Sequence, residues 1–117
     1  MPEPLIQQAL VEHLRKQYRM LILSNTNAIH WKMLRETYPI LHLFHDQVLS
    51  YEVKAMKPEE AIYRAAIEKA ECRAEECFFT DDVQAYVDAA RSYGIDAVQF
   101  QSHDQVVEEL RARDVDC

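Results

Sequence analysis

Glycine is almost missing from this chain: among 117 residues only Gly94 is one. A glycine-rich phosphate loop and a dinucleotide fingerprint both need several glycines at fixed spacing, because the backbone itself must approach the phosphates. Both are excluded, so any phosphate recognition must rely on side chains and ordinary backbone amides. Cysteine is scarce as well. Cys72, Cys77 and Cys117 form an odd set, and two of them fall on one helix-to-strand connection, which argues against a disulfide framework. The Cys72–Cys77 spacing is also unusual for a metal site. No apolar run approaches the ~20 residues of a membrane span. The opening Met1-Pro2-Glu3-Pro4 has no basic segment followed by an apolar one, so no signal peptide is read. A cytoplasmic location is the resulting expectation.

Cations are in deficit. Lys and Arg number 13 against 20 Asp and Glu, for a net charge of -7. An acidic surface repels phosphate backbones and anionic lipid, so nucleic acid and membranes are not expected as partners. A small phosphorylated ligand stays open, because a local site can be cationic. What is present is ordinary for one globular domain, with 49% hydrophobic and 28% charged residues. Residues 1–117 are therefore read as a single unit, without repeats or a linker.

The hydrophobic pattern alternates between two periods. Residues 5–17 repeat apolar positions at helical spacing. The unbroken run at residues 20–24 reads as a strand buried on both faces, as in parallel sheets. Asn25, Thr26 and Asn27 end it and can cap a helix over 28–37, which Pro39 closes. Residues 47–53 read as a second strand. A helix over 59–70 follows Lys57-Pro58. Residues 76–80 are a third strand, ending at Asp81-Asp82. A helix over 84–92 ends at Gly94, in the position where a helix C-terminus favours glycine. Residues 96–100 are a fourth strand and 103–112 a last helix. Strict alternation of this kind makes a parallel α/β sheet. Tyr18, Trp31 and Tyr38 read as packing residues around the second helix.

Ligands in such sheets bind beyond the carboxyl ends of the strands. Those ends carry Ser24 and Asn25, then Lys54 and Lys57, then Asp81 and Asp82. A hydroxyl, an ammonium and two carboxylates on one rim suit phosphoryl chemistry. Taken singly, Ser24-Asn25 is also a helix cap, Lys57-Pro58 a helix start and Asp81-Asp82 a turn. His30, His42 and His45 lack a matching ligand set for zinc and read as solvated histidines. No glycine-lined nucleophile turn surrounds Ser24, Ser50, Ser92 or Ser102.

Three segments carry a resemblance. LILSNTN (21–27), LSYEVKAMKPEEAIYRAAIEKA (49–70) and CFFTDDVQAYVDAARSYGIDAVQF (77–100) are similar, in order and spacing, to the second, third and fourth motifs of the haloacid dehalogenase superfamily. Within it, the segments resemble the sugar-phosphatase-like members. The resemblance implies a Rossmann-like three-layer parallel sheet and a Mg²⁺-dependent hydrolase acting on a small phosphorylated substrate. It implies that Ser24 and Asn25 bind the phosphoryl group and that Lys57 stabilises the nucleophile and the transferring charge. Asp81 would bind Mg²⁺ directly, with Asp82 supporting the metal shell or orienting Lys57. Relatives often carry Asn where this chain has Tyr86.

In that family an Asp-x-Asp motif on an early, central strand supplies the nucleophile, and a cap domain follows it. No Asp precedes Asp46 here, so the fold is expected to be incomplete, with the first-motif strand and the cap absent. The chain is then expected to be inactive alone, as a truncated hydrolase core. The alternative is a non-catalytic module that binds phosphoryl groups, metal or a partner. Strands 20–24 and 76–80, which would flank the missing strand, must either pair directly or leave open edges. Open edges invite a homodimer. A phospho-accepting receiver domain is disfavoured, since the lysine here precedes the acidic pair.

Overall fold

The structure, a computed structural model, describes residues 7–117. Helix α1 (Gln8–Leu14) leads into strand β1 (Leu21–Ser24), helix α2 (Ala28–Thr37) and a 3-10 turn (Pro39–Leu43). Strand β2 (Asp46–Leu49) is followed by the short helix α3 (Ser50–Val53) and by α4 (Glu60–Ala70). A second 3-10 turn (Ala74–Glu76) precedes β3 (Phe78–Asp81), α5 (Gln84–Ser92), β4 (Asp96–Gln99) and α6 (His103–Ala112). The alternation read from the sequence is present. Part of the first expected helix, Leu5 and Ile6, lies outside the described residues, and α1 ends three residues before Gln17.

The second expected strand, 47–53, is corrected. Pairing stops at Leu49, opposite Ser24, the last residue of β1. Ser50 then turns the chain. Its hydroxyl accepts from the Thr26 amide at 2.8 Å and donates to the Thr26 carbonyl at 2.9 Å. Residues 50–53 wind into one helical turn that ends at Lys54, whose φ is 58°. The β-branched and aromatic composition of this segment favours a strand, but the ladder has no partner left to offer it.

The strands form two separate parallel pairs, β1 with β2 and β3 with β4. Among the described residues β1 and β3 share no ladder. Burial makes the consequence visible. Val48 and Leu49 of β2 are 0% exposed, and Ala97 and Val98 of β4 are also buried. Every residue of β1 and of β3 is only half-buried. The two strands that face each other are thus more open than their outer neighbours, the reverse of an ordinary α/β sheet. Of the two outcomes expected from the sequence, open edges is the one found.

Side-chain alternation along each strand sorts the core into layers. Leu23, Val48, Phe79 and Ala97 face α4 and α5, meeting Ile62, Tyr63, Val87 and Ala90. On the other face, Ile22 and Leu49 meet Trp31 and Leu34 of α2, while Phe78 meets α1 and α6 through Leu10, Leu14, Val106 and Leu110. The result is a three-layer α/β unit whose two strand pairs share a core mainly under α4 and α5. Tyr63, with no exposed surface, is the keystone of that shared core. Its ring meets Phe79 edge-on and its hydroxyl donates to the Tyr86 carbonyl at 2.9 Å. Burial, followed by the nearby Asp81 charge, pushes the Tyr63 phenol up to about 12.

Trp31 is buried and Tyr38 packs beside it, as expected, whereas Tyr18 is 44% exposed. Among the described residues no helix is long and apolar enough to cross a membrane.

Candidate functional site

The carboxyl ends of β1 and β3 carry most of the rim. Ser24 closes β1, Asp81 closes β3, and Lys57 reaches between them from the loop before α4. Lys57 is the most buried charged residue among the described residues, at 8% exposure. A buried ammonium must be paired to be tolerated. Its Nζ donates to Asp81 Oδ2 at 2.5 Å and to the Leu23 carbonyl at 3.3 Å. It also sits 5.0 Å from the centre of the Tyr86 ring and 5.9 Å from that of Phe79, distances at which aromatic faces attract a cation.

The lysine is held at its backbone too. The Asn25 side chain accepts from the Lys57 amide at 2.8 Å and donates to the Lys57 carbonyl at 3.2 Å. This reciprocal pair ties the third-motif loop to the end of β1. Ser50, bonded to Thr26, ties β2's exit to the same turn. Asn27 caps α2 by accepting from the His30 amide at 2.8 Å, so the segment after β1 serves both as cap and as clamp.

Asp81 has both carboxylate oxygens engaged. Oδ2 takes the lysine, and Oδ1 accepts from the Val83 amide at 2.9 Å. Burial pulls its carboxyl upward, but the Lys57 hydrogen bond and the Val83 amide outweigh that pull, so its pKa lies below the ordinary aspartate value. Asp82, one residue on, is exposed, and its carbonyl accepts from the Gln99 side chain at 3.1 Å. The Ser24 hydroxyl makes no side-chain hydrogen bond within the described residues.

The structure therefore brings Ser24, Asn25, Lys57 and Asp81 together at one edge, with Asp82 beside them. Lys54 is exposed at the far side of the α3 turn. The histidines do not converge: the His42 ring lies 2.9 Å from the Arg35 carbonyl oxygen, and the His45 ring accepts from the Met20 amide. Sequence reasoning missed the clamp made by the Asn25 side chain and the aromatic wall of Tyr86 and Phe79. The Asn25 clamp has no sequence signal, since it joins residues 32 apart. The rim offers two adjacent carboxylates as hard oxygen donors. Among the described residues no three His, Cys, Asp or Glu side chains gather around one point. Two carboxylates still fit a divalent ion that keeps several waters and takes further ligands from a phosphate.

Fold and rim define a three-layer α/β protein with a buried lysine–carboxylate pair at the ends of parallel strands. The chain belongs to the haloacid dehalogenase-like hydrolases, whose family model matches residues 4–94. A haloacid dehalogenase family enzyme from Bacteroides thetaiotaomicron is similar at 33% identity and TM-score 0.77, over 88% of this chain and 54% of that one. The same wild-type enzyme in complex with magnesium and inorganic phosphate matches at 35% identity and TM-score 0.73, over 80% of this chain and 50% of that one. An uncharacterized protein from Corynebacterium glutamicum matches at 26% identity and TM-score 0.77, over 94% of this chain and 85% of that one. The chain spans about half the length of the Bacteroides enzyme but most of the Corynebacterium protein.

Proposed function

We propose that this chain supplies the phosphate- and metal-binding side of a Mg²⁺-dependent phosphoryl-transfer site for a small phosphorylated metabolite. The observation that carries the reading is the Lys57 ammonium, buried and fixed between the carboxyl ends of β1 and β3. A cation set there offsets negative charge on a transferring phosphoryl group. Ser24, with its free hydroxyl at the end of β1, hydrogen-bonds a phosphoryl oxygen, and the Asn25 backbone amide assists. The Asn25 side chain positions Lys57. When bound, Mg²⁺ neutralises phosphate charge and orients it. The Bacteroides relative, crystallised with magnesium and phosphate, supports this choice of ligands.

The two aspartates divide the work. Asp81 has both oxygens committed, to Lys57 and to the Val83 amide. That favours Asp82, exposed and adjacent, as the carboxylate more open to the metal, with Asp81 holding the lysine. The sequence resemblance had given Asp81 the direct contact.

The nucleophilic carboxylate comes from outside this set. Asp46, the first aspartate in the chain, opens β2 at the end away from the rim. It faces Arg19 at 3.5 Å and Lys69 at 3.8 Å. β1 and β3 share no ladder among the described residues, and a strand paired between them would bring a carboxylate against Lys57. The chain alone then binds but does not turn over.

Calorimetric titration of the purified chain with MgCl2 and inorganic phosphate tests the reading. The expected result is Mg²⁺ binding that Asp82→Asn weakens at least ~10-fold, and phosphate binding that Ser24→Ala weakens, each such loss being about 1.4 kcal/mol per decade. No hydrolysis of p-nitrophenyl phosphate is expected. Absence of any binding would overturn the site, and turnover by the chain alone would overturn the external nucleophile.

The Corynebacterium relative favours a second reading, since a match covering 85% of its chain leaves little room for a cap. In that reading the chain is a non-catalytic module that binds a phosphorylated ligand or a partner. The intact mass of the protein from its native source separates the two. A mass well above 13.7 kDa supports the hydrolase, and a mass near it supports the module.

A further inference from the structure

At the amino end of β3, opposite the rim, the chain makes a tight reversal. Helix α4 ends at Glu71, whose φ is 60°. The chain then passes Cys72 and Arg73, makes the 3-10 turn Ala74–Glu76 and enters β3 after Cys77. Glu76 holds the reversal closed: its carboxylate accepts from the Arg73 amide and from Arg73 Nε, both at 3.1 Å. The Glu76 and Cys77 amides donate back to the Arg73 and Ala74 carbonyls at 2.9 and 3.0 Å. The turn brings the two thiols, five residues apart, to an Sγ–Sγ separation of 3.3 Å. Cys72 is exposed and Cys77 half-buried. Cys117 lies elsewhere, packed with the α1 and α6 cluster.

We propose that Cys72 and Cys77 are a redox-modification site, forming a reversible intramolecular disulfide when the chain meets a low-molecular-weight disulfide. The separation needs to close by little more than a sulfur shift to reach the ~2.05 Å of an S–S bond. The two cysteines also differ in the way a two-step exchange requires. Cys72 is the accessible one, so its thiolate attacks one sulfur of the external disulfide. One thiolate of the reagent leaves, and Cys72 carries a mixed disulfide. Cys77 then gives its proton to solvent and attacks the Cys72 sulfur, and the second reagent thiolate leaves. Two protein thiols are oxidised and one external disulfide is reduced to two thiols. Burial, and then the hydrogen bond to Cys72, pushes the Cys77 thiol up to about 12. It therefore does not make the first attack, and its slow ionisation is offset by being already in place.

The bond ties the end of α4 to the start of β3. These elements reach the rim at their other ends, where Lys57 precedes α4 and Asp81 closes β3. The modification leaves the rim residues themselves untouched and stands independently of the phosphoryl-transfer reading.

The test uses the full chain incubated with oxidised glutathione, then digested with trypsin without reduction. Cleavage after Lys69, Arg73 and Arg91 places the two cysteines on separate peptides, 70–73 and 74–91. The expected result is one product in which these peptides are joined, an intact mass lower by two hydrogens, and full reversal by dithiothreitol. Cys117→Ser should behave identically, while Cys72→Ser should leave Cys77 unmodified. A stable glutathione adduct on Cys72 with Cys77 still free would overturn the proposal. So would a linkage through Cys117 or between two chains.

Discussion

Lys57 Nζ lies 2.5 Å from Asp81 Oδ2, with both side chains about nine-tenths buried. The pair joins a loop fixed to β1 with the end of β3, two strands that are not hydrogen-bonded to each other. It is therefore a cross-brace between two strands that share no ladder as well as a candidate reaction centre. Breaking a buried pair from one side leaves a lone buried charge, which costs about 3–5 kcal/mol. Lys57→Met should lose that much stability in urea denaturation near neutral pH. Adding Asp81→Asn should recover a substantial part, because the stranded charge is gone. A loss under about 1 kcal/mol in the single variant would mean that water reaches the pair.

The same pair sets a pH dependence. The Asp81 carboxyl is held below its ordinary value in the folded state, so folding favours its ionised form. Its contribution is complete above the unfolded aspartate pKa, about 3.9, and is lost as pH falls through the depressed folded value. Stability should therefore drop on acidification below about pH 4, and the drop should be shallower in Asp81→Asn. Equal slopes in the two proteins would assign acid sensitivity to other carboxylates, Asp96 with Arg113 first among them.

Ser50 anchors the turn after β1 by two hydrogen bonds to Thr26. Ser50→Ala should cost about 1–3 kcal/mol, since it leaves the part-buried Thr26 amide without its partner. Amide hydrogen exchange should quicken at Thr26 while Val87 and Ala90 in the core keep their protection. Uniform quickening across the chain would show that the turn is integral to global unfolding.

Open strand edges recruit other strands. The half-buried edges of β1 and β3 lead us to expect a concentration-dependent homodimer of the isolated chain in sedimentation velocity. A monomer at every concentration would exclude edge pairing.

Much of the architecture was legible because it follows from local periodicity. Buried runs such as LILS mark strands, and Asn27 and Gly94 mark helix ends by well-understood capping physics. The segment SYEV misled, since its composition suits a strand and only the Ser50–Thr26 contact, between residues 24 apart, turns it into a helix. The rim residues were legible as a set, from their places after successive strands. Which of them touch one another was not.

The sequence by itself determined the alternating α/β plan, the family and the identity of the rim residues, because these depend on order, period and residue chemistry. Only the tertiary structure decided which aspartate meets Lys57. β3 ends at Asp81, whose carboxylate meets Lys57, while Asp82 follows in the turn and stays exposed. Tertiary structure likewise decided that β1 and β3 stand apart, because strand pairing joins segments distant in the chain and leaves no local mark in either.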